Sequence, residues 1–113
     1  MKVALSTKNN MITDHFGHCD YFVVYELGDE KIISSHVIKN PPHQKGFLPK
    51  FLKDEGIDVV IAGGIGEMAV NMLKDLGIDC YINVTGEVPE VIEKYLNNDL
   101  SKDNDKKPCK GHH

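Results

Sequence analysis

The chain has 113 residues, with 17 carboxylates against 13 lysines and no arginine, for a formal net charge of −4. That length fits one domain, and 41% hydrophobic with 27% charged content excludes wholesale disorder. Without arginine there are no bidentate guanidinium contacts to phosphate or guanine. No nucleic-acid partner is expected, and no apolar run approaches the ~18 residues of a membrane span. The first residues turn polar too soon for a signal peptide, so a cytoplasmic location is expected.

Residues 2–6 read as a short buried strand, and Thr7-Lys8-Asn9-Asn10 as a polar loop. Residues 21–27 are rich in aromatic and β-branched side chains and predict a second strand. After the turn cluster Gly28-Asp29-Glu30, residues 31–39 return as its antiparallel hairpin partner. Asn40-Pro41-Pro42-His43-Gln44-Lys45-Gly46 cannot extend that strand, because two prolines remove donors and fix the backbone.

Helix and strand then alternate. Phe47, Leu48, Phe51 and Leu52 share one face of a short helix ended by Gly56. Residues 57–62 are near-continuously apolar, as a strand covered on both sides requires. Met68, Ala69, Met72, Leu73 and Leu76 mark a second helix ended by Gly77. Residues 78–84 predict a last strand, and Val88, Val91, Ile92, Tyr95 and Leu96 a last helix. The order β-β-β-α-β-α-β-α is that of one α/β domain over residues 1–100, a mixed five-stranded sheet with helices packed on it. Residues 101–113 carry almost no apolar side chain and are expected to form a flexible tail.

Four groups of residues bear on function. His15-Phe16-Gly17-His18-Cys19 gathers imidazole and thiol, ligands suited to zinc, iron and iron–sulfur chemistry. His15 and His18 could share a metal, with Gly17 letting the backbone fold between them. The competing reading is a polar loop whose histidines are solvated and whose Cys19 is a small buried residue. Gly63-Gly64-Ile65-Gly66, between a strand and a helix, offers amides at a helix N-terminus to an anion. The same glycines equally suit a tight turn that lets strand and helix approach. The spacing Gly64-x-Gly66-x-x-Ala69 satisfies a loose dinucleotide fingerprint, but the chain is too short for two mononucleotide-binding halves. Cys109, His112 and His113 form a third set of soft ligands, or a simple polar terminus. His43, on the proline loop, is the fourth. Three cysteines (Cys19, Cys80 and Cys109) is an odd count that favours free thiols or metal ligands over a disulfide framework. Cys80 and His36 read as structural.

Phe16-Gly17 followed by Tyr21-Phe22, Asn40-Pro41 with Gly46, and Ile57-Asp58-Val59-Val60-Ile61-Ala62-Gly63-Gly64-Ile65-Gly66 resemble the dinitrogenase iron–molybdenum cofactor biosynthesis family. Gly77-Ile78-Asp79 and Thr85-Gly86-Glu87-Val88 extend the resemblance over residues 1 to about 100. It implies a ribonuclease-H-like fold and an accessory protein that binds or carries an iron–sulfur or iron–molybdenum cluster, meeting cluster donor and acceptor proteins, with no catalysis of its own. The family commonly has a basic residue where His18 stands and no ligand where His15 or Cys19 stands, so this loop is richer in ligands. The cargo is then expected against His15, His18 and Cys19, with Gly64 and Gly66 offering amides and His43 covering one side. Cys109, His112 and His113 would be auxiliary ligands. The alternative is a plain zinc or transition-metal binder, or a redox sensor acting through Cys19. A ribonuclease-H-like nuclease would need carboxylates for two metals, one of them on the first strand, and residues 2–6 hold none.

Overall fold

The computed structural model describes residues 1–29, 31–40 and 47–97. Strand β1 (Lys2–Lys8) turns through Asn9 and Asn10 into the two-residue β2 (Met11–Ile12), pairing Thr7 with Ile12 and Lys8 with Met11. Both asparagines have positive φ, 54° and 66°, the left-handed pair that a two-residue type I′ hairpin needs and that Asn tolerates. The polar run expected as a loop is therefore a strand end and its turn.

A 3-10 turn, Phe16–His18, leads into the hairpin of β3 (Tyr21–Gly28) and β4 (Lys31–Lys39). Next come α1 (Phe47–Asp54), β5 (Val59–Ile61), α2 (Glu67–Asp75), β6 (Asp79–Tyr81) and α3 (Val88–Leu96). Helices α1 and α2 end alike. Gly56 and Gly77 take φ of 84° and 81°, and the amides of Ile57 and Ile78 reach back to Leu52 and Leu73 carbonyls at 3.1 and 2.9 Å. This is the Schellman closure. It also explains why β5 and β6 begin later than their apolar runs, since Ile57 and Ile78 belong to helix caps; at the other end Ala62 and residues 82–84 lie beyond the strands.

Among the described residues the sheet has six strands, ordered β4-β3-β1-β5-β6 with β2 beside β1. Strand β1 is antiparallel to β3 and parallel to β5, and β5 is parallel to β6. The expected mixed sheet is present, with one short strand more than five.

The central strands are buried on both faces, and successive side chains alternate between two cores as the pleat demands. Val3, Leu5, Val59 and Ile61 pack with Val88, Val91 and Ile92 of α3. Ala4, Val60 and Ala62 turn to the other face, with Leu52 of α1 and Leu73 of α2. Each fully buried Leu or Ile contributes about 1.5–3 kcal/mol of transfer free energy. No helix among the described residues is long and apolar enough to cross a membrane.

Candidate functional site

Ligands of open α/β sheets bind outside the carboxyl ends of the parallel strands, where neighbouring connections diverge. Here β1 is that place, because the chain after it moves to β3 on one side and its parallel neighbour β5 lies on the other. The loop after β2 and the loop after β5 meet there backbone to backbone. Gly63 N–H donates to the Thr13 carbonyl at 2.8 Å, and Phe16 N–H donates to the Gly64 carbonyl at 2.8 Å. The loop after β6 joins them, with Asn83 N–H donating to Gly63 O at 2.6 Å.

Glycine is required at two of these positions. A Cβ on Gly63 would lie 2.5 Å from the Thr13 carbonyl oxygen and 2.9 Å from Asp14 Cα. One on Gly64 would lie 2.5 Å from the Asp14 carbonyl oxygen. Gly66 differs, with open space around it. It is the N-cap of α2 in extended conformation, and no side chain caps the helix. Amides in that first turn therefore point beyond the helix end, where the dipole favours negative charge. Glu67, exposed in the same turn, already supplies one such charge.

The histidine loop is anchored from three sides. Phe16 is buried and meets Phe22 edge to face, with ring centroids 5.7 Å apart. The Thr13 hydroxyl lies 3.0 Å from Ser6 Oγ and 3.3 Å from the His15 carbonyl. Asn40 Nδ2 donates to the Cys19 carbonyl at 2.7 Å and lies 3.4 Å from that of Gly17. Asn40 thus ties the end of β4 to the loop, a role its sequence context did not reveal.

These anchors sort the expected ligands. His15 is exposed beside the Gly64 contact. Cys19 is turned inward, 4% exposed within the α1–α2 core. Burial pushes its thiol up to about 11, with Asp20 adding to the rise and the backbone of Thr7 and Cys19 opposing it. It is a protonated core thiol at neutral pH. His18 lies in the 3-10 turn, where only its backbone is described. His43, Cys109, His112 and His113 lie outside the described residues. Among the described residues, no three His, Cys, Asp or Glu side chains converge to hold a metal ion. What the structure brings together is the backbone of residues 13–16, with His15 exposed among them, and Gly63 and Gly64, shortly before the N-terminus of α2.

Residues 1–98 match the family model described as dinitrogenase iron-molybdenum cofactor. The uncharacterized protein MJ0580 of Methanocaldococcus jannaschii is 32% identical over 107 residues, covering 90% of this chain and 91% of its own. The crystal structure of PH0822 superposes with a TM-score of 0.84 at 29% identity, covering 95% of this chain and all of that one. That of MJ0327, also from Methanocaldococcus jannaschii and provisionally described as a dinitrogenase, gives 0.75 at 26% identity over 89% of this chain and 92% of its own. On the family match across nearly its whole length, the chain belongs to the dinitrogenase iron-molybdenum cofactor family.

Proposed function

We propose that this protein binds and carries an anionic metallocluster, of iron–sulfur or iron–molybdenum type, as a cytoplasmic accessory in cofactor biosynthesis, without turnover. The observation that supports this most is the interlocked pair of loops after β2 and β5, which holds the backbone around His15 against Gly64, two residues before the N-cap of α2. An imidazole supplies a ligand to the metal, and the amides answer the charge of the cluster. Two backbone hydrogen bonds of 2.8 Å hold the two loops together, which favours a defined cargo over a passing ion.

In this reading His15 and His18 are the first ligands. Cys19 joins only if the loop rearranges, since its thiol is buried and protonated. His43 is a further cofactor-binding residue in this reading, and Cys109, His112 and His113 add ligands. Metal ligation takes the neutral imidazole, so protons compete with the metal for these ligands and uptake weakens in acid. Strand β1, with the sequence KVALSTK, carries no carboxylate, which fits a ribonuclease-H-like scaffold used for binding and not for phosphodiester cleavage. Cluster donor and acceptor proteins are the partners this role requires.

The test is cluster uptake by the paired His15→Ala, His18→Ala variant and by the triple variant that adds Cys19→Ala. Both should lose uptake, whereas Cys19→Ala alone keeps most of it. Unchanged stoichiometry in the triple variant would overturn the assignment. Truncation after Leu100 should weaken binding without abolishing it, and equal affinity would remove the tail from the site.

A further inference from the structure

The sheet ends on two unlike edges. At one, β6 has three residues. At the other, β4 has nine, and all but Ile38 are exposed. Its aliphatic side chains stand in solvent, with Ile33 64%, Val37 60% and Ile32 43% exposed. On an antiparallel edge strand, alternate residues aim N–H and C=O away from the neighbour, as a template for another strand. Exposed apolar side chains beside such an edge mark an interaction surface.

The charge on this edge is specific. Strand β4 carries Lys31, His36 and Lys39 and no carboxylate, in a chain of net charge −4. We propose that β4 is a strand-addition site for an extended segment of another protein that combines aliphatic and acidic side chains. Main-chain hydrogen bonds would supply affinity and the lysines selectivity.

Two features define the occupant further. The β3–β4 register shifts at Glu26 and Leu27, leaving Ile33 as the extra residue of a bulge. The regular edge is therefore residues 34–39, with Val37 and Lys39 on one face, opposite Val23 and Tyr21. Antiparallel pairing of two copies about Ser35 would set Lys31 of each copy against Lys39 of the other. Lysines on an edge discourage such self-pairing while leaving it open to a carboxylate-bearing strand. The Lys39 end leads directly to Asn40, which bonds the Cys19 carbonyl, so an added strand would end beside the histidine loop. The proposal stands independently of any metal cargo.

The test uses the full chain, labelled with nitrogen-15, and two synthetic blocked peptides of alternating valine and threonine. One peptide has glutamate at both ends, the other lysine. The glutamate-ended peptide should shift the amides of residues 34–39 and bind about five- to tenfold more tightly at low salt. High salt should shrink that preference, and the exposed double variant K31E/K39E should reverse it. Equal binding of both peptides, no binding at millimolar peptide, or shifts confined to other elements would each overturn the proposal. Self-association of the chain through β4 would overturn it in favour of a second copy.

Discussion

Substituting alanine at each glycine of the loop after β5 separates packing from ligand binding. At Gly63 the new Cβ would stand 2.5 Å from the Thr13 carbonyl oxygen, where ordinary contact begins near 3.4 Å. The obstacle is backbone on both sides, so the two loops must part by nearly an ångström. That opening also breaks the 2.8 Å bond from Gly63 N–H to Thr13 O. Steric strain of about 1–3 kcal/mol and a lost hydrogen bond of about 1 kcal/mol give roughly 3 kcal/mol, a fall in Tm of roughly 10–15 °C. Gly64→Ala meets the Asp14 carbonyl at the same 2.5 Å and should cost a similar amount. The two losses will not add, because one shift of residues 13–14 relieves both. Gly66 meets nothing within 4 Å and has φ of −62°, so Gly66→Ala should stay within about 1 kcal/mol. Urea denaturation of the three variants is the assay. Tolerance of Gly63→Ala equal to that of Gly66→Ala would refute the close-approach argument.

Three further outcomes follow from named groups. Asn40→Ala should cost about 1–2 kcal/mol and accelerate amide exchange in residues 16–19 while core amides keep their protection; uniform exchange changes would contradict a local latch. Cys19 has a thiol raised from near 9 to about 11, so the folded state holds its proton where the unfolded state has lost it. The contribution of this thiol to stability is then constant below pH 9 and falls as pH climbs towards 11, and Cys19→Ala should flatten that fall in alkaline urea titrations. Native Cys19 should also resist alkylation at pH 8 until the chain is unfolded. Glu67→Gln removes a carboxylate from the first turn of α2 and should tighten an anionic cluster about two- to fivefold; weaker binding would point instead to a bare cation.

Much of the fold was legible because the signals were local. Gly56 and Gly77 mark helix ends by their own conformational freedom, and the Gly28-Asp29 turn marks a hairpin. The Asn9-Asn10 turn was hidden because asparagines suit both a loop and a type I′ hairpin, and Thr7, although polar, is fully buried. The glycine loop left two readings open, since a close backbone approach and an anion cradle want the same residue. The structure shows a close backbone approach at Gly63 and Gly64 and open space at Gly66, the N-cap of α2. Asn40 was illegible as a latch because its partners lie 21 and 23 residues away. For Cys19 the sequence left two readings open, ligand or small buried residue, because side-chain direction in a short loop depends on what Phe16 and Asn40 hold in place; the structure has it buried.

The most direct measurement of the central claim is iron, molybdenum, zinc and sulfide analysis, with a visible spectrum. The protein would be purified without oxygen, offered an iron–sulfur or iron–molybdenum cluster, and passed through gel filtration. Iron should be retained together with sulfide, or molybdenum, on the wild-type chain and lost from the His15→Ala, His18→Ala pair. Retention of zinc alone, or of no metal at all, would contradict that claim.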